Sequence, residues 1–264
     1  MTDTYHLPTA PQTIGRVLDA GTKLFMASFS RVVALALVAQ FAMFVAQMLV
    51  PYLSSDTSLS SFSLSLVVVV VAIIAGVGPY LAVILRSWRI ANGEDMPAGD
   101  AVRSGYRRAP RVILAGLFYG MVVMVGSILL IIPGIYLAGA LALFLAPLLF
   151  ENAGARASLS RSRQLMRGNW WRGVTVLTVP AVLVTVVLVV AQILPLFVFG
   201  MDFSSGDFTP SPLMEFLSGA VGMVLQGLLM PWNTGVMIAL YNDLRLRREG
   251  DDLSQRLAGL SASS

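Results

Sequence analysis

The stretch VILAGLFYGMVVMVGSILLIIPGIYLAGALALFLAPLLF, residues 112–150, runs for 39 positions without one acidic or basic side chain. A helix crossing about 30 Å of hydrocarbon needs about 20 apolar residues at 1.5 Å rise per residue. The stretch is too long for one crossing and long enough for two. Pro133 and Gly134 mark the expected division, because proline cannot donate to the helix ladder and glycine permits a turn. The sequence therefore predicts a tight helical hairpin with spans at 112–132 and 134–150.

Working outward, four more apolar stretches reach spanning length, at about 32–52, 63–85, 173–199 and 212–240. The composition agrees: of 264 residues 56% are hydrophobic and 12% charged, with a mean hydropathy of +0.78. A soluble domain carries about a quarter of its residues as charges. The fold class is all-α, an integral membrane protein with six transmembrane helices in a single domain over 1–250, followed by a flexible cytoplasmic tail at 251–264. Cysteine is absent, which removes disulfides and thiolate metal sites.

Charge placement orients the spans. All 18 basic residues fall in four segments, 1–31, 86–111, 151–172 and 241–264. The connections between them carry only Asp56, nothing at 131–134, and Asp202 and Asp207 with Glu215 just beyond. Short loops rich in Lys and Arg stay cytoplasmic during insertion, so both termini are expected there. This placement also accounts for the high pI without nucleic acid as a partner. The polar leader before residue 32 shows no small-residue cleavage pattern and reads as part of a retained anchor. Ser54–Ser63 and Gly200–Ser211 read as short outer loops.

Three inner segments, 12–29, 97–109 and 154–167, each carry an apolar stripe at helical spacing beside basic residues. Ile14, Val17, Leu18, Gly21, Leu24 and Phe25 form the first. Ala98, Ala101, Val102, Gly105 and Tyr106 form the second, and Leu159, Ser162, Leu165 and Met166 the third. Each is expected to lie along the inner leaflet as an interfacial helix. The chain then reads as three units of interfacial helix plus hairpin, in a pseudo-threefold arrangement. Each returning span carries a proline in its inner half, Pro79, Pro147 and Pro231, and these are candidate hinges.

No ionisable residue falls at the midplane of a span, where it would be the first functional candidate. The candidate intramembrane polar contacts are Gln40, Gln47, Gln192, Gln226 and Asn233, joined by Ser127, Thr178, Thr185 and Thr234. They serve either as hydrogen bonds between helices, worth about 0.6–2 kcal/mol each, or as the lining of a polar groove. His6 is the only histidine, so no histidine cluster or triad can form. Glu94/Asp95 and Asp251/Asp252 read as solvated charge, and no catalytic, metal or cofactor site is expected. Arg103, Arg107, Arg108, Arg111, Arg161, Arg163 and Arg167 form a belt at the inner headgroup level, beside Trp170 and Trp171. They are candidate contacts to lipid phosphate, which guanidinium groups bind in a bidentate manner.

Several motifs are more specific. Ile132-Pro-Gly-Ile-Tyr136, Pro147, Glu151-Asn-Ala-Gly154, Ser158-Leu159, Ser162, Leu165 and Gly168-Asn-Trp-Trp171 come in order. They are followed by Tyr241-Asn-Asp-Leu-Arg-Leu-Arg-Arg-Glu-Gly250. With Ile14-Gly-Arg-Val-Leu-Asp-Ala-Gly-Thr-Lys-Leu-Phe25, these resemble the membrane domain of glycerophosphodiester phosphodiesterases and its stand-alone, YciC-like inner-membrane relatives. Asn242, Ser158 and Asp251-Asp252 depart from that pattern. The resemblance implies a six-helix domain of a bacterial inner membrane in a lipid-related or envelope context. The catalytic barrel of the family has no counterpart here, so its activity is not implied.

The first expected function is a non-enzymatic accessory, scaffold or regulatory protein in envelope or lipid homeostasis. It would contact anionic membrane lipids, or a partner membrane protein, through the arginine belt. The alternative is a transporter or flippase-like conduit for a lipid or amphipathic small molecule.

Overall fold

The computed structural model describes residues 7–53, 59–195 and 212–262, with 194–195 and 251–262 as backbone only. The elements of the described chain are all helices: α1 Ile14–Leu53, α2 Leu59–Ala91, α3 Ala98–Leu129, α4 Ile131–Leu141, α5 Leu145–Phe150, α6 Ala155–Met166, α7 Trp170–Pro195 and α8 Pro212–Ala262. Six helical stretches are long and apolar enough to cross a membrane, α4 and α5 together making one of them. The protein is thus a multi-pass, all-helical membrane protein. Of the two outer loops, 54–58 and 200–211 lie outside the described residues, while 59–63 already belong to α2.

The inner leaders differ from expectation. Residues 12–29 and 97–109 are not separate interfacial helices, since α1 and α3 run through them unbroken. At 1.5 Å per residue α1 is about 60 Å long, twice the hydrocarbon thickness. Val17, Ala20, Gly21, Leu24 and Ser28 are buried in line with Val32, Leu35, Ala36 and Ala39. The amphipathic stripe is one continuous face, and it packs on protein instead of lipid. Such a stripe records only that one side of a helix avoids water; lipid and a neighbouring helix cover that side equally well. Only the third leader is a separate helix, α6, whose Ser158, Leu159, Ser162, Leu165 and Met166 are buried. Gly168, at φ 82°, follows α6. The three units share an order of elements and differ in geometry.

The central hairpin turns at Leu130, not at Pro133 and Gly134. Leu130 alone is extended, at φ −161° and ψ 137°, between α3 and α4. A proline ring clashes with the carbonyl four residues earlier, which for Pro133 is that of Leu129, the last residue of α3. Pro133 then sits in the first turn of α4, where an N–H would have no helical partner. The returning span is itself interrupted by a turn at 142–144, which separates α4 from α5. Pro147 lies within α5, just past that turn.

Pro79 and Pro231 lie inside the unbroken helices α2 and α8. Pro79 cannot bond the carbonyl of Ala75, and the Tyr106 hydroxyl of α3 donates to that oxygen instead, at 2.7 Å. The α2–α3 crossing is close as well, since a Cβ on Gly105 would lie 2.4 Å from the Gly78 carbonyl oxygen.

The largest helix pairing is α1 against α8. A Cβ on Gly21 would lie 2.6 Å from Val236 Cα, and one on Gly235 would lie 2.5 Å from the Gly21 carbonyl oxygen. At the end of the bundle where the chain enters α1, called the inner end below, Val17, Ala146, Leu165, Val176, Tyr241 and Leu244 form one core drawn from α1, α5, α6, α7 and α8, completed by Leu143 from the turn. Beside it, Asp243 accepts from the Gln12 backbone N–H at 2.6 Å and from Arg172 and Arg247 Nε at 3.0 Å each. The residues after 250, expected as a tail, continue α8 to Ala262.

This close approach predicts that Gly235→Ala lowers thermal stability in detergent by about 1–3 kcal/mol, the usual cost of overpacking. Gly116→Ala, with open space around it, should be neutral. Equal melting temperatures for the two variants would remove the backbone contact as the determinant of the α1–α8 pairing.

Candidate functional site

The five amides that the sequence singles out come together. Two adjoining cavities of about 300 and 230 Å³ share Gln40 and Gln226 as lining residues. The larger also takes in Tyr80, Val184, Asn233 and Thr234, and the smaller Gln47, Leu188, Gln192 and Gly222. The floor is one face of α8: Gly219, Gly222, Gln226, Met230, Asn233 and Met237 follow one another at three or four residues. From Gly219 to Met237 that face rises about 27 Å, close to the thickness of the hydrocarbon. Gln40 and Gln47, two turns apart on α1, line one wall. Val184, Leu188 and Gln192 on α7 line the other.

The electrostatics of this cleft are those of neutral dipoles. Among the described residues, no protein hydrogen bond satisfies the side chains of Gln40, Gln47, Gln192, Gln226, Asn233 or Tyr80. Thr234 donates internally, to the Met230 carbonyl at 3.2 Å. Gln192 reaches over Gly222, where a Cβ would lie 2.4 Å from its Nε2; the missing side chain makes room for the amide. Gln47 and Gln226 are exposed and Gln40, Gln192 and Asn233 half-buried, so the cleft opens to the surroundings of the bundle. An amide without a partner in an apolar medium is costly. The cleft therefore presents donors and acceptors that the protein itself leaves unpartnered.

The arginine belt divides. Arg103, Arg107, Arg111, Arg163 and Arg167 are exposed, and among the described residues their side chains have no ion-pair or hydrogen-bond partner. Arg161 pairs with Glu151 at 3.3 Å, and Glu151 also accepts from the Tyr241 hydroxyl at 2.5 Å. Arg108 is half-buried and donates from Nη1 to the Leu149 carbonyl at 2.8 Å. It lines a third cavity of about 310 Å³, together with Arg89, Asn92, Ser104 and Asn152. Sequence reasoning does not single out this group. Its members come from the inner ends of α2 and α3 and from the link after α5, and no spacing along the chain connects them.

The candidate hinges are not gathered at one place. Pro79 and Pro231 precede the cleft residue Tyr80 and follow the cleft residue Met230, whereas Pro147 is buried in α5 next to Leu148 and Leu149. Among the described residues no group of His, Asp and Glu could hold a metal ion.

No family model, curated protein or solved structure matches this chain. The site's own geometry therefore carries the functional reading.

The absence of cysteine makes accessibility measurable at single positions. Gln226→Cys and Gln47→Cys should react with a membrane-impermeant thiol reagent, because the thiolate forms only where water reaches. Val224→Cys and Val45→Cys, exposed on the same helices but outside the cleft, should not. Labelling of none would mean the cleft is dry, and equal labelling of all four that it is no wetter than the rest of the exposed helix surface.

Proposed function

We propose that this chain is a non-enzymatic protein of a bacterial inner membrane, with both termini cytoplasmic, that conducts a lipid or another amphipathic small molecule along the amide-lined cleft. The observation that supports this is the convergence of Gln40, Gln47, Gln192, Gln226 and Asn233, from three helices, on cavities that run most of a bilayer's depth. A polar headgroup needs donors and acceptors at every level of such a path, and primary amides supply both without fixing a charge. Absence of a carboxylate or guanidinium among the described residues of the cleft suits a cargo that is released as readily as it enters. The lipid context follows the resemblance of the 132–171 and 241–250 blocks to the membrane domain of glycerophosphodiester phosphodiesterases.

The accessory or scaffold reading has its own supporting observation. Arg103, Arg107, Arg111, Arg163 and Arg167 are exposed on the side that the positive-inside rule makes cytoplasmic, available to an anionic leaflet or a partner membrane protein. Both readings take membrane lipid as the ligand and differ in whether it moves.

The test is reconstitution into liposomes carrying a fluorescent phospholipid, followed by an impermeant quencher. The wild-type protein should expose the protected inner-leaflet fraction faster than protein-free vesicles. Gln40→Leu/Gln226→Leu should return the rate to background without lowering the melting temperature, since removing amides that lack protein partners is neutral or stabilising by about 1 kcal/mol. A wild-type rate at background, or a double variant as fast as wild type, would rule out the conduit.

A further inference from the structure

The third cavity lies apart from the cleft and shares no lining residue with it. It is bounded by the last turns of α2, the N-terminal third of α3 and the turn that follows α5. Trp88 and Phe150 stack face to face at 4.1 Å, 11° from parallel, and give it one rigid apolar wall. Two guanidinium groups enter from different helices. Arg89 is held through Nη1 by Glu94, and Arg108 through Nη1 by the Leu149 carbonyl. Each anchor uses one nitrogen, and among the described residues the other guanidinium nitrogens are unpartnered. Ser104 and Asn152 add neutral donors that likewise make no side-chain hydrogen bond within the described protein. Asn152 takes the left-handed conformation, at φ 53°, which asparagine tolerates better than most residues.

We propose that this cavity binds a phosphate ester, with Arg89 and Arg108 on the phosphate oxygens and Ser104 and Asn152 completing the shell. Two pre-oriented guanidinium groups with only Glu94 as counter-charge leave a net positive cavity. Donors arriving from several directions suit a tetrahedral anion better than a planar carboxylate. Its volume is at the small end of ligand sites and fits a headgroup or a small soluble ester. The aromatic wall excludes water from one side of the anion, which strengthens the charged hydrogen bonds. None of the cleft residues takes part, so this proposal and the conduit can fail independently.

The experiment measures binding to the full chain in nanodiscs of neutral lipid, with glycerol 3-phosphate as soluble probe, and in nanodiscs doped with phosphatidic acid. Binding of the soluble probe assigns the site to a free ester. Retention of phosphatidic acid alone, read by native mass spectrometry, assigns it to a lipid headgroup. Either result supports the site if Arg108→Gln and Arg89→Gln each weaken binding by about tenfold or more, the loss expected for a charged hydrogen bond. Arg16→Gln, on an exposed arginine outside both the cavity and the belt, should leave binding unchanged. Should Arg108→Gln unfold the protein, Arg89→Gln and the cavity-filling Ser104→Leu carry the test. The proposal is overturned if neither probe binds, or if Arg16→Gln weakens binding as much as Arg89→Gln does.

Discussion

Asp243 is the residue on which the arrangement of the helices rests. Its side chain is 2% exposed, and burying a carboxylate is unfavourable unless charge and hydrogen bonds replace its water. Arg172 at the start of α7, Arg247 one turn along α8 and the Gln12 backbone N–H together supply that replacement. The same two guanidinium groups also donate to the Gln12 carbonyl. One cluster therefore fastens the chain entering α1, the first turn of α7 and the inner part of α8. Fixing those three at one end sets how far α1 slides along α8, and the Gly21–Gly235 contact permits only a narrow range. The amides of α1, α7 and α8 then fall at matching heights.

Much of this is legible from single segments. Six spans, the central hairpin and the identity of the intramembrane amides follow from apolar length, charge gaps and composition. Gln40 and Gln47 share a helix face by their spacing of seven, as do Gln226 and Asn233. Their meeting across α1 and α8, with Gln192 added from α7, depends on contacts distant in sequence, and no periodicity encodes it. The first two inner leaders are misread for a different reason. Arg16, Asp19 and Lys23 beside an apolar stripe describe equally well a helix on a leaflet and the inner half of a long helix whose stripe faces α8. Continuity is hidden because these polar residues end the apolar run without ending the helix. Pro133 marks the region of the break, but proline alone does not end a helix here, since α2 and α8 continue through Pro79 and Pro231, and the steric effect of Pro133 acts on Leu129, four residues back.

The 132–171 and 241–250 blocks meet in the fold. Tyr241 and Asp243, from the C-terminal block, meet Glu151, from the 132–171 block, and Arg172, just beyond it, through a phenol–carboxylate hydrogen bond and an ion pair. Trp170 donates to the Tyr136 carbonyl at 3.0 Å and stacks on the Tyr136 ring. Ser162 bridges the break after α4, donating to the Ala140 carbonyl and accepting from the Leu143 N–H. These motifs hold the inner end together. The cleft amides lie outside both blocks.

Under the proposed conduit, the unequal attachment of α7 decides how the cleft admits a ligand. Its buried positions, Gly173, Val176, Pro180 and Val184, form a narrow stripe over its inner half, next to the Asp243 cluster. Beyond Val184 the helix has no fully buried described residue, and Leu188 and Gln192 are only half-buried where they line the cleft. α1, the opposite wall, remains packed outward through Phe44 and Ala46, with Phe44 set edge-on to Phe216 of α8. Local opening costs least where few apolar contacts are lost. Widening of the outer half of the cleft therefore falls to α7, pivoting about an inner end that Asp243 and Arg172 keep in place.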